Sequence, residues 1–497
     1  MKIIVISRVL LLIFSYKKSV ALEYTPPQIV SGNTGIDLIE NSCAGQTVYI
    51  IKTTGNVEVI GYFLSGPDAD FLTLNSNTVS LDANPDFEIK SSYSFEVTVN
   101  DAEGNISEIQ MVTFSIIDVD ETPAFVLDFC ENGFAGEYPC NNYNLIGHID
   151  LNTLGANSGN DCWGWTDLSS GKEYALMGLN TGTSFIDISD LEFPRIVGFL
   201  PAHTTNSIWR DIKTYGNYAF IVSEAPGHGM QVFDLTKLVY ISANQPPQTF
   251  TPDAHYDGFG DAHNIVINDT QGYAYAFGTS TYSGGPHFID ISNPLNPSAA
   301  GGYGEDAYSH DAQVVTYNGP DTDYTGKEIL IGSNENEVVI VDVTDKINPT
   351  QIATINYPNI EYTHQGWFTE DQSYFILGDE LDEHNFGGNT RNIVFDFTDL
   401  DAPSIHMNYY GPTTAIDHNG YVIGDDYYLA NYSAGIRIID ITNISNETMA
   451  EIGYFDTYPS NDNASFNEVW SVYPYFSSGN IIISDRNSGF YIVRKSE

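Results

Sequence analysis

One short pattern recurs through the C-terminal part of this chain and limits its fold more than any other feature. It is an apolar run that ends on Asp, an apolar residue, and then Ser or Thr. It reads FIDIS at Phe185 to Ser189, VFDLT at Val232 to Thr236 and FIDIS again at Phe288 to Ser292. It continues as IVDVT at Ile340 to Thr344, VFDFT at Val394 to Thr398 and IIDIT at Ile438 to Thr442. β-Branched and aromatic residues favour strands, and Asp followed by Ser or Thr favours a turn. Four copies are followed by a proline: Pro194, Pro297, Pro349 and Pro403. Proline at the start of an outer strand costs no ladder hydrogen bond, because its missing N–H would face solvent. A last apolar strand, Phe490 to Val493, takes the same place without the Asp.

A second feature runs in step with the first. Trp163, Trp209, His263, His310, His364, His418 and Trp470 each precede a strand, a turn and another strand. The interval is about 50 residues, the length of a four-stranded propeller blade rather than of a helical repeat. No stretch keeps a helical period, which argues against an α/β fold. The pattern predicts an all-β chain whose residues 144–497 form a seven-bladed β-propeller. The last unit lacks an outer strand, and Asn144 to Leu151 resembles the outer strands of other units, such as Arg195 to Leu200. That segment is expected to complete the last blade and close the ring.

Residues 24–123 read differently. Alternating runs such as Ser94 to Val99 and Val112 to Ile117 are short strands with one buried face, separated by Asn, Gly and Asp turns. This is a small β-sandwich. Its acids fall at strand ends: Glu40, Asp86, Glu88, Asp101, Asp118 and Asp120. Calcium takes six to eight oxygens, several of them carboxylate, and acids on different strand ends can supply them. The same residue types also build turns without a metal. On the Glu40 position, the Asp86-Phe87-Glu88 step, the Asp101 turn and the closing Asp118-Val119-Asp120-Glu121 segment, this domain resembles a bacterial cadherin repeat. That resemblance implies calcium at the boundary with the next module.

The extended phrases of the C-terminal region, such as NDCWGWTDLSSGKEYALMGLNTGTSFIDIS, HYDGFGDAHNIVIN and YTHQGWFTEDQSYFILGDE, resemble the choice-of-anchor B family of surface proteins, whose repeats are of the LVIVD type. The family supplies no established reaction. Only Arg494 to Glu497 follow the last strand, so membrane association would need an anchor that this sequence does not display.

Lys2, the apolar stretch Ile3 to Phe14 and the small residues Ser19-Val20-Ala21 have the order of a secretory signal, although Lys17-Lys18 are atypical there. Residues 1–21 are therefore expected to direct the chain to the cell surface or exterior. Cys130 and Cys140 lie in a Gly- and Pro-containing loop within a linker at 124–143 and suit one local disulfide in that setting. Cys43 and Cys162 have no evident partners. The formal net charge is −47, from 18 Lys and Arg against 65 Asp and Glu, while hydrophobic residues make up 42%. The apolar content excludes a disordered acidic chain, and the charge excludes nucleic acid as a main partner.

Candidate sites follow from repetition. His263, His310, His364 and His418 occupy equivalent places in four successive units. On innermost strands they would approach the central channel, where neutral imidazoles suit a first-row transition metal. Asp211 and Asp311 could orient them as hydrogen-bond acceptors. A residue repeated once per blade can equally do one packing job in each, and Trp holds the same place in other units. The acidic run Asp379, Glu380, Asp382, Glu383 and His384 offers ligands for a cation, and reads equally as a solvated loop of an acidic protein. Taken together, the sequence predicts a calcium-binding adhesion or recognition protein of the cell surface, the propeller being a non-catalytic platform for a surface protein or glycan. The alternative is a metal-dependent enzyme with its site in the histidine-lined channel.

Overall fold

The computed structural model describes residues 25–117 and 127–496, apart from 41, 43, 88, 191–193, 243–244 and 307. The expected signal at 1–21, together with Cys43, Glu88, Asp118 and Asp120, lies outside the described residues. The chain divides into two compact units, Met1–Asp120 and Glu121–Glu497, and it is all-β apart from single helical turns. Among the described residues no helix is long and apolar enough to cross a membrane.

The N-terminal unit has a four-stranded sheet in which Gln110–Ile117 lies between Leu38–Ile39 and Ser92–Asp101, with Val59–Ser65 at the far edge. A three-stranded sheet holds Thr47–Ile50, Thr78–Leu81 and Leu72–Asn75. The period-two alternation seen in the sequence is the reason these strands form a core. In Ser92–Asp101 the residues Tyr93, Phe95, Val97 and Val99 are all buried, and Val112, Phe114 and Ile116 face them from the neighbouring strand.

The C-terminal unit is a β-propeller. Its inner strands are β1 (Gly159–Asp167), β2 (Arg210–Tyr215), β3 (Asn264–Asn268), β4 (Asp311–Thr316), β5 (Thr363–Phe368), β6 (Gly420–Ile423) and β7 (Val469–Tyr473). Each lies against the next, and β7 lies against β1. Each is also the innermost strand of its own antiparallel sheet, as in the order Asp311–Thr316, Glu328–Ser333, Val338–Asp342, Thr350–Ile355.

The repeated Asp has a local cause. Asp187, Asp234, Asp290, Asp342, Asp396 and Asp440 end the third strand of their sheets, and each carboxylate accepts the N–H of the Ser or Thr two residues on. The side chain thus caps the turn that leads outward. Outer strands Arg195–Pro201, Ser298–Gly302, Thr350–Ile355 and Ser404–Tyr410 each begin immediately after the expected proline. Against them the third strand slips register in the same place, between Phe185 and Ile186, Phe288 and Ile289, and Val394 and Phe395. Bulges of this kind increase twist, which lets flat sheets fan around an axis. Apolar faces then pack sheet to sheet. Phe185 stacks on Phe233 of the following sheet at 4.7 Å, both fully buried.

The last sheet is completed from the N-terminal side of the unit. Tyr143–Ile149 runs antiparallel to Gly489–Lys495, pairing Leu145 with Val493 and Ile149 with Phe490, as the spare strand in the sequence requires. Cys130 and Cys140 form a disulfide with their Cα atoms 5.9 Å apart. The hairpin it closes continues the neighbouring sheet through Cys140 opposite Phe455, which covers a strand edge that would otherwise be open to pairing. Cys162 is a buried free thiol.

Candidate metal centre

All inner strands run in the same direction, so residues at their starts gather at one mouth of the channel. There the four histidines meet as an arc of rings. Centroids are 4.4 Å apart for His263 and His310, 4.5 Å for His310 and His364, and 4.3 Å for His364 and His418, with Trp470 4.5 Å beyond. His310, His364 and His418 are each at most 4% exposed. Trp163 does not belong to this set, contrary to the sequence alignment of units. β1 is longer than its counterparts and slips register between Gly159 and Cys162. Trp163 is the fifth residue of β1 rather than one at its start, and lies down the channel against Tyr473, 5.0 Å away between ring centroids.

Three of the imidazoles are oriented by different partners. His418 Nδ1 donates to the Trp470 carbonyl at 2.5 Å, which leaves its Nε2 as the lone-pair nitrogen. His263 Nδ1 lies 2.5 Å from Glu224 Oε1, and His310 Nδ1 is 3.0 Å from the Tyr362 hydroxyl. His310 Nε2 and His364 Nδ1 are buried and have no hydrogen-bond partner. Burial first, and neighbouring histidines second, hold His310 and His364 well below the ordinary range. Burial likewise pushes His418 down to about 3, although the Trp470 carbonyl opposes it. The three rings are therefore neutral at ordinary pH, which is the state in which imidazole binds a metal.

Between His364 and His418 stands Glu380. Its Oε1 is 3.5 Å from His418 Nε2 and its Oε2 is 3.8 Å from His364 Nε2. These separations are too long for hydrogen bonds, yet the donor atoms of all three residues lie within 4.8 Å of one another. Donors placed tetrahedrally around an ion at about 2.1 Å are about 3.4 Å apart. The Tyr432 hydroxyl donates to Glu380 Oε1 at 2.7 Å and fixes the carboxylate. Burial pushes Glu380 up to about 7, against the hydrogen bond from Tyr432.

The sequence marks Glu380 only as one acid of a run that suits a cation or a solvated loop, and does not join it to the histidines. The structure corrects the solvated reading. Asp379, Asp382 and Glu383 are buried, at 0%, 5% and 3% exposure. Asp379 accepts the N–H groups of Glu361 and Tyr362, Asp382 pairs with Arg391, and Glu383 accepts the Arg391 N–H. These acids build the turn that presents Glu380, and only His384 of the run is exposed. A signal was available: Glu224, Glu335 and Glu380 each follow the second strand of their own sheet closely.

Asp211 and Asp311 do not orient the histidines. Asp211 binds Lys213 Nζ at 2.6 Å and the Ile265 N–H at 2.6 Å, and Asp311 accepts the Ala312 N–H. Lys213 also meets Asp161 at 3.1 Å. Burial opposes the charge on Asp211, but Lys213 overcomes it and holds the carboxyl below its ordinary range. Burial, then Asp211, pushes Asp311 up to about 7. This group of charges lies inside the channel, below the histidines.

The expected calcium acids can be placed in part. Glu40 is 2% exposed, and its Oε2 accepts the Phe87 N–H at 2.9 Å. Asp86 accepts the Ile89 N–H, and Asp101, fully buried, accepts the N–H groups of Glu103 and Asn105. Asp86 and Asp101 thus bond to turns of their own backbone, while Glu40 ties its strand end to the distant Asp86-Phe87 step.

Comparison with known proteins adds only the fold. The chain is similar to the β-propeller domain of Cps50 (Swd1) from Myceliophteria thermophila, with a TM-score of 0.46 at 10% identity over 71% of this chain and 100% of that one. It is also similar to the C-terminal WD40 domain of Sif2, with a TM-score of 0.42 at 7% identity over 81% and 90%. The likeness is to β-propellers. No family model matches the chain, and no curated protein matches it.

Proposed function

We propose that this chain is a seven-bladed propeller that carries a divalent transition metal at one channel mouth, on His364, Glu380 and His418. The observation that carries the reading is the pair of imidazole nitrogens set 3.5 and 3.8 Å from the two Glu380 oxygens, with no hydrogen bond joining them. Two neutral nitrogens and one carboxylate suit zinc or iron(II). Three protein ligands leave positions open, and an ion so held supplies Lewis-acid chemistry to a small molecule entering the mouth. His310, with Nε2 unpartnered, is placed to hold a water or substrate oxygen beside it. The four histidines thus divide into a ligand pair, His364 and His418, and a flanking pair, His263 and His310.

This favours the metal-dependent reading over the passive platform. The test is equilibrium dialysis of the full chain, stripped with chelator, against zinc or iron(II). One bound equivalent is expected in the wild type and in His263→Ala, with loss in Glu380→Gln and His418→Ala. No bound metal, or undiminished metal in both ligand variants, would refute the assignment.

A second reading concerns the N-terminal unit. We infer a cadherin-like module that binds calcium, on the strength of the bond that joins Glu40 to the Asp86-Phe87 step and so brings two parts of the expected acid set together. Secretion to an oxidising exterior, and kinship with the choice-of-anchor B proteins, remain part of this proposal. The Cys130–Cys140 disulfide supports the compartment.

A further inference from the structure

At the opposite ends of the same inner strands the channel opens into a cavity of about 660 Å³. Three residues of strand, roughly 10 Å, separate Trp367 in its lining from His364 at the histidine mouth. Its wall is divided by chemistry. On one side stand Trp163, Trp367, Tyr473 and Tyr475. Tyr421 ties them into one surface, with ring centroids 5.7 Å from Trp163 and 5.0 Å from Trp367. On the other side the ends of β2, β3 and β4 present Thr214, Asn268 and Thr316, and the exposed Asp269 and Glu370 also line the cavity.

Electrostatics narrows the ligand. The exposed carboxylates and the strongly negative chain repel phosphates and other anions. A cation would have to share the Trp163 ring with Lys213, whose Nζ already sits 4.5 Å from its centroid. What remains is a neutral molecule with one apolar face and many hydroxyls. A pyranose ring has that form: its C–H face packs on indole, and its hydroxyls donate to carboxylates and amides. The volume lies in the range of sites that enclose small ligands and suits a short oligosaccharide rather than a single atom or ion.

We infer that this aromatic-walled mouth binds a neutral oligosaccharide of two or three sugars, with Trp367 as its main stacking platform. The inference is independent of the metal at the other mouth.

The experiment is isothermal titration of the full chain with maltotriose, cellotriose, mannotriose and chitotriose, with and without EDTA, and with tetramethylammonium as the cationic control. At least one trisaccharide is expected to bind, equally in EDTA. Its affinity should fall by at least about tenfold in Trp367→Ala, as for a central aromatic anchor. It should persist within about threefold in Trp367→Phe and in Trp209→Ala, which lies outside the cavity. Should Trp367→Ala not fold, Asp269→Asn on the exposed rim replaces it, with an expected loss of at least about threefold. Binding of none of the four sugars would overturn the inference. So would binding of tetramethylammonium alone, or unchanged sugar affinity in the variant used.

Discussion

The two mouths of the propeller channel are made by the same strands, and their side chains differ completely. At the starts of β4 to β6 are neutral, buried imidazoles with a carboxylate set among them. At the ends are indoles and phenols around an open cavity. Between them lies a compact charge group, Lys213 with Asp161 and Asp211. The fold requires only that strand ends arrive at each mouth. It does not require histidine at one and tryptophan at the other, so the difference records chemistry rather than architecture.

That contrast can be broken at several points. The largest effect is expected at the histidine mouth. Removing one of three ligands, in His364→Ala, should reduce metal affinity by more than about a hundredfold, read by competition with a chromogenic chelator, while sugar titrations at the other mouth stay unchanged. If both mouths fail together, they are one site and not two.

Lys213→Met separates the mouths by disrupting what lies between them. It leaves Asp161 and Asp211 buried without their cation, so a loss of about 3–5 kcal/mol is expected in urea unfolding. A loss below about 1 kcal/mol would mean that the group is more solvated than its burial indicates.

Asp311 gives a pH test. Its carboxyl is pushed up to about 7 by burial, then by Asp211, so the folded chain keeps a proton that the unfolded chain releases from about pH 4. The stability contribution is full below the unfolded value and is lost as pH rises through the folded one. Between pH 4 and 7 the wild type should therefore lose about 3 kcal/mol more than Asp311→Asn does. Parallel pH profiles from urea unfolding would refute it.

A calorimetric test applies to the N-terminal unit. A calcium site there should raise the calorimetric transition that Glu40→Gln perturbs, by about 2.7 kcal/mol at a hundredfold excess over the dissociation constant. An identical transition in calcium and in chelator would leave Glu40 and Asp101 as turn-formers only.

Much of the architecture was legible because repetition exposes what each unit shares. Asp187 and its counterparts mark turns by chemistry that does not depend on tertiary context, and Pro194, Pro297, Pro349 and Pro403 mark outer strands for the same reason. The arc of histidines was legible as well, since equivalent positions in a ring must converge. Glu380 was not: it is one of 65 acids, and its placement depends on the burial of Asp379, Asp382 and Glu383 around Arg391. Trp163 is out of step because β1 begins four residues before it, an offset that the order of residues does not mark. In the N-terminal unit, Asp101 would look the same in sequence whether it serves calcium or, as its hydrogen bonds to Glu103 and Asn105 show, a turn.

The central claim is that an ion belongs among His364, Glu380 and His418, and an anomalous difference map from crystals of the full chain grown with zinc addresses it directly. One strong peak is expected about 2.0–2.2 Å from His364 Nε2, His418 Nε2 and a Glu380 oxygen. A map with no peak there, or with its peak at the exposed cluster of Asp321, Asp399 and Asp401 instead, would contradict it.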